Sequence, residues 1–191
     1  VQWLRDTLGL VDSAEQTAAL AASLESNGGV YLVPAFTGLG APHWNPHARG
    51  TLLGMTRATG PAHIARAALE AVCYQSAELL EAMADDVGKD VTTLRVDGGM
   101  VRNDWLTQHL ADITNTPVER PALLETTALG AARLAGLQAG VFNDLADLQD
   151  AWVADQTFIP SMDESIRQSR LSTWRRAVEV AIGFAKDSGK G

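Results

Sequence analysis

Short apolar runs alternate with longer stretches of helical periodicity along most of this chain, and that alternation limits the fold more than any other feature. Val30–Val33, Thr51–Met55, Thr92–Asp97 and Pro117–Glu119 read as strands closed by Gly, Pro or polar residues. Between and around them, helices are expected over Val1–Leu8, from a Ser13 cap to about Leu24, Pro61 to about Asp85, Asn103 to about Thr114, from a Thr126 cap to Ala139, and about Ser161–Lys186. Strands that take turns with helices imply an α/β sheet with helices packed on it. In the Pro61 helix, Ile64, Ala68, Ala71, Leu79 and Met83 fall near helical spacing, and most of that stripe is expected in the core.

The chain has 191 residues, enough for one domain with a sizeable core, and shows no repeat or linker. One domain is expected over residues 1–186, with a frayed tail at 187–191. The opening Val-Gln-Trp-Leu-Arg-Asp has neither a leader pattern nor an initiator methionine and reads like the middle of a longer protein. A net charge of −8 argues against a nucleic-acid partner, which needs a basic footprint. No apolar run approaches a membrane span, and the basic residues Arg170, Arg175 and Arg176 are offset by Glu164 and Glu179, against membrane binding. The lone Cys73 has no internal disulfide partner and reads as a buried thiol, in keeping with a reducing, cytoplasmic setting.

Arg95-Val-Asp-Gly-Gly-Met-Val-Arg-Asn103 runs from a strand end directly into a helix. Ligands of α/β sheets lie outside the carboxyl ends of strands, and glycines there let the backbone come close to them. Asp97-Gly-Gly99 therefore reads as a tight turn beside a flat slot, with Asn103 on the first turn of the next helix able to hydrogen-bond into it. An adenine or ribose suits such a slot. Spacing alone leaves open a glycine-rich turn with no ligand, since the pattern is neither G-x-G-x-x-G nor a Walker A loop. Asp97 reads as bonding nearby backbone donors rather than as a metal ligand or base.

Three stretches carry a resemblance to the FGGY carbohydrate kinases. Arg95–Trp105 resembles the segment that contacts adenosine. Gly50-Thr-Leu-Leu-Gly-Met55, a seven-residue gap and His63–Glu70 resemble the family's C-terminal signature. Val33–Gly50, a Gly- and Pro-dense loop, is similar to the members that phosphorylate glycerol rather than to those acting on a pentulose or gluconate. Val118-Glu-Arg-Pro121 and Thr127–Ala132 belong to the same match, which covers nearly the whole chain.

The resemblance implies a ribonuclease H-like (actin/hexokinase-type ATPase) domain lacking its first strands, part of an enzyme that moves the γ-phosphoryl group of ATP to glycerol with Mg²⁺. It places Gly99 and Asn103 on adenosine and Gln2 on another nucleotide contact, with Gly98 shaping the turn in the same set. The family's catalytic Asp and glycerol-binding groups precede the matched segment, so no catalytic residue is assigned and the chain alone is expected to be inactive. An incomplete sheet edge favours self-association, or pairing with a separately encoded N-terminal half. A module that only binds proteins is the alternative from another class, and the intact Gly99, Asn103 and Gln2 speak against it.

Other constellations have plainer readings. His43 and His47 are four apart, but Pro42 and Pro46 oppose the helix a zinc pair would need. His63 and His109 read as solvated or locally bonded, the five tryptophans as packing anchors, and Arg49, Arg57 and Arg66 as one basic, solvated or ion-paired face.

Overall fold

A computed structural model describes residues 1–145 and 153–188. In chain order these form α1 (Gln2–Asp6), α2 (Gln16–Ala22), β1 (Tyr31–Val33), β2 (Thr51–Leu53), α3 (Pro61–Val87), β3 (Leu94–Arg95), a 3₁₀ turn (Gly99–Arg102), α4 (Asp104–Thr114), β4 (Val118–Pro121), α5 (Thr126–Gln138), β5 (Ala154–Phe158) and α6 (Glu164–Ser188). Trp152 and residues 189–191 lie outside the described residues. Residues 187 and 188 continue α6.

The strands make two sheets. β1 and β2 form an antiparallel pair with Leu32 opposite Leu52. β3 pairs in parallel with β4, Leu94 opposite Val118, and β4 pairs antiparallel with β5, Val118 opposite Phe158, giving the order β3-β4-β5. Thr92–Asp97 contributes only Leu94–Arg95 as strand, because the backbone leaves the ladder for the glycine turn once the Val96 N–H has bonded Glu119 O.

α3 is the central pillar. Pro61 is pre-set for the first helical position, the Gly60 N–H donates to His63 Nδ1 at 3.2 Å, and Gly88 ends the helix at φ +69°. Its buried residues Leu69, Cys73, Tyr74 and Ala77 meet Leu110 and Ile113 of α4, Val118 of β4, Phe158 of β5, and Leu171, Trp174 and Val178 of α6 in one core. Tyr74 stacks between Tyr31 and Trp174, with ring centroids 5.8 and 5.3 Å away. A smaller cluster of Leu4, Val11 and Ala65 seats α1 against the start of α3.

Several expectations fail for local reasons. Leu79 and Met83 are exposed, while Glu81 on the same stretch of α3 pairs with Arg175 of α6. Ser13 caps nothing: α2 starts at Gln16, whose side chain accepts from the Asp12 N–H at 2.8 Å and donates back to the Asp12 carboxylate at 3.0 Å. Thr126 is the first residue of α5 rather than its cap. Ser161 does not open the last helix, because its N–H is taken by Asp112 Oδ1 at 2.7 Å; Asp163 accepts from the Ser165 N–H and α6 begins at Glu164.

Candidate functional site

The β3–α4 junction is built from the backbone upward. Gly98 has φ +86°, a region L residues avoid, and its N–H donates to Leu124 O at 3.0 Å, so the chain reverses sharply beside the segment leading to α5. A Cβ placed on Gly98 or Gly99 would meet nothing within 4 Å. The glycines therefore front open space, as a slot requires.

Asn103 is the N-cap of α4 rather than a residue of its first turn. Its Oδ1 accepts from the Leu106 N–H at 3.1 Å, while its Nδ2 is buried without a hydrogen-bond partner among the described residues. The amide thus divides its labour, one end satisfying the helix and the other left with two donors to offer. A buried orphan donor costs about 1–3 kcal/mol, which a ligand acceptor would recover.

Beside the turn lies a groove of about 340 Å³ lined by Val72 and Cys73 of α3, Arg95, Val96, Asp97, Met100 and Val101 of the strand and turn, and Leu106, Thr107 and Leu110 of α4. Its wall is mainly apolar, suited to a flat ring. Asp97 opens toward solvent and makes no hydrogen bond among the described residues, contrary to the expected backbone role. Gln2, the remaining expected nucleotide contact, is exposed at the start of α1 with no side-chain hydrogen bond. The structure thus brings Gly98, Gly99 and Asn103 into one turn, with Gln2 on a separate element.

The turn is held from behind. Thr107, fully buried, has its hydroxyl 3.2 Å from Val101 O and 3.1 Å from Asn103 O. Arg120 of β4 donates to Val101 O at 2.5 Å and to Gln156 at 2.5 Å, and pairs with Asp104 at 2.7 Å. Nothing in the linear spacing of Val118–Pro121 points from Arg120 on β4 to the turn.

Next to this site sits a buried polar knot that the sequence did not disclose. Glu70, 1% exposed, accepts from Arg66 Nε at 2.9 Å, Asn27 Nδ2 at 2.7 Å and the Tyr74 hydroxyl at 3.3 Å, with Arg170 3.9 Å away. Arg66 also donates to Ala21 O and Leu24 O and lies 5.1 Å over the Trp105 ring. Arg66 is therefore no part of a basic face with Arg49 and Arg57; Arg49 instead bonds Pro46 O and Ala48 O. His109 is buried rather than solvated and stacks on Trp105 at 4.9 Å. Burial, reinforced by Arg170 and Arg66, lowers its pKa to about 3, so it stays neutral. Burial likewise pushes the Cys73 thiol well up, as expected of an inert core cysteine. His43 lies 3.2 Å from Glu78, and Trp44 is 76% exposed, so it anchors no packing in the described structure.

The FGGY family of carbohydrate kinases, C-terminal domain, matches residues 1–139. The chain belongs to that family. Among curated FGGY relatives, the glycerol kinase of Dechloromonas aromatica is 58% identical over 185 residues, 97% of this chain, and that of Rhodospirillum centenum 59% identical over 187 residues, 98% of it. The chain spans 37% of the length of each. Of solved structures, Plasmodium falciparum glycerol kinase with ADP superposes with a TM-score of 0.84 at 36% identity, over 94% of this chain and 36% of that one. A ligand-bound xylulose kinase from Lactobacillus acidophilus superposes with a TM-score of 0.75 at 23% identity, over 99% of this chain and 38% of that one, and shares the fold.

Proposed function

We propose that this FGGY chain is the nucleotide-binding, C-terminal part of an ATP-dependent kinase that phosphorylates glycerol, giving sn-glycerol 3-phosphate and ADP. The observation that carries it is the Gly98–Asn103 turn, with an unpartnered Asn103 donor beside open glycines, in a chain 58% identical to a glycerol kinase over 97% of its length. In this reading Gly99 admits the adenosine to the backbone, Asn103 Nδ2 donates to it, Gly98 sets the turn and Gln2 approaches from α1. An amide serves better than a carboxylate there, since it adds no negative charge near phosphates.

The residues fit a nucleotide. Mg²⁺ would arrive with the phosphates and supply charge neutralisation during transfer; among the described residues no group of three or more His, Cys, Asp or Glu gathers to hold a metal. The chain's own part is to bind and orient the adenosine, while the groups that position glycerol and its hydroxyl proton come from polypeptide outside it. The domain belongs to the ribonuclease H-like class and extends to about Lys186, a boundary supported by Leu171, Trp174 and Val178 packing into the core of α3 and α4. It works in the cytoplasm, and its incomplete sheet favours association with itself or with an upstream half; no described helix is long and apolar enough to cross a membrane.

The test is a chimera in which this chain replaces the matching part of the Dechloromonas aromatica glycerol kinase. Glycerol-dependent ADP release is the expected result, and a chimera that folds but releases no ADP with glycerol would overturn the reading that this chain completes a glycerol-phosphorylating kinase. The chain alone is expected to show no sustained glycerol-dependent ADP release.

A further inference from the structure

Arg120 reaches the candidate site from the next strand and touches it at two points. Its side chain is 12% exposed. One guanidinium nitrogen reaches both Val101 O at 2.5 Å and Asp104 Oδ1 at 2.7 Å, and the other reaches Gln156 Oε1 at 2.5 Å. The guanidinium carbon lies 5.1 Å over the Phe158 ring. Val101 and Asp104 bracket Asn103, so a single planar fork grips the backbone before the cap and the carboxylate after it, and braces both against β5.

We infer that Arg120 is a positioning residue for nucleotide binding: it fixes the Val101–Asp104 segment so that Gly99 and Asn103 face the ligand together. Three physical points lead there. A turn that opens with a glycine at φ +86° has a backbone with several accessible conformations and needs an outside constraint. The Val101 carbonyl, two residues before Asn103, is met by both Arg120 and Thr107, which together restrain its orientation. Finally, Arg120 offsets the Asp104 carboxylate, the acidic group in the first turn of α4, which would otherwise oppose an incoming polyphosphate. Lysine could offset the charge but has no rigid fork to hold carbonyl, carboxylate and amide at once.

The inference rests on the nucleotide reading above, and its test has two arms. Hydrogen exchange in this chain compares wild type with Arg120→Met and Arg120→Lys. Amides of Arg102 and Asn103 should exchange about tenfold faster in Arg120→Met, less so in Arg120→Lys, while those of Leu69–Ala77 in α3 stay protected. In the chimera, Arg120→Met should raise the KM for ATP about tenfold, the loss expected for a charge-assisted hydrogen bond, with the KM for glycerol unchanged and Arg120→Lys in between. Unchanged exchange in the turn of both variants would overturn the inference, as would KM values for both substrates rising together with faster exchange throughout β5, the pattern of a strut for the sheet alone. A wild-type chimera that does not phosphorylate glycerol would defeat the functional reading, and the exchange arm would still decide whether Arg120 orders the turn.

Discussion

The knot around Glu70 and the turn around Asn103 are both polar regions next to the same core, yet they are finished differently. At Glu70 the carboxylate has three donors within 3.3 Å, and Arg66 is shared among a carboxylate, two carbonyls and an aromatic face. At Asn103 the capping oxygen is used, but the buried NH₂ has no hydrogen-bond partner among the described residues, and the nearby glycines front open space. A fold able to satisfy the harder case, a buried carboxylate, has left the easier one unmet. An orphan donor alone does not mark a ligand site, since His109 Nε2 and Trp174 Nε1 are also buried without a partner among the described residues; at Asn103 it coincides with glycines that front open space.

Breaking the finished region should cost the most. Glu70→Ala leaves Arg66 and Arg170 without their buried counter-charge and should destabilise the chain by about 3–5 kcal/mol, read as a lower urea midpoint. Equality with a surface substitution such as Glu179→Ala would show that the knot is not a closed unit. Close behind, lowering the pH attacks His109 next to the knot. Its folded pKa of about 3 lies below the ordinary 6.5, so between those values the unfolded chain binds a proton that the fold refuses. That contribution is intact above pH 6.5 and falls away as the pH drops toward 3, amounting to about 2 kcal/mol lost by pH 5. His109→Phe should flatten this slope in urea melts at pH 7 and pH 5.

The open region should respond in the reverse manner. Gly99→Val places a side chain where nothing stands within 4 Å, so stability should change by less than about 0.5 kcal/mol while ADP binding is lost. A large loss of stability instead would mean that Gly99 serves the turn rather than a ligand. Gly98→Ala separates backbone from ligand effects: at φ +86° it should cost about 1–2 kcal/mol without needing any nucleotide.

What the sequence disclosed follows from how local each feature is. The α3 and α4 helices, β1 and the glycine turn were legible because periodicity, Pro61, Gly88 and Asp97-Gly-Gly99 act within a few residues. β5 was missed because Ala-Asp-Gln-Thr-Phe is mostly polar, and only Phe158 of its residues is buried. The knot was invisible because Arg66 and Glu70, four apart on a helix, look like an ordinary surface pair until α2 and α6 close over them. Asn103 was chosen for its amide, yet its capping role emerges only with the helix start at Asp104. Arg120 shows the limit best: it reaches Val101 from another strand, through a contact that no spacing rule encodes.

One titration tests the central claim, that the Gly98–Asn103 turn binds adenine nucleotide through the free end of Asn103. ADP is titrated calorimetrically, with and without Mg²⁺, into this chain and into Asn103→Asp, which keeps the capping oxygen and so the helix but replaces the NH₂ donor with a charged acceptor. The account predicts weak, saturable binding by the wild type and its loss in a variant of unchanged stability. Equal binding by both, or none by a wild-type chain shown to be folded, would contradict it.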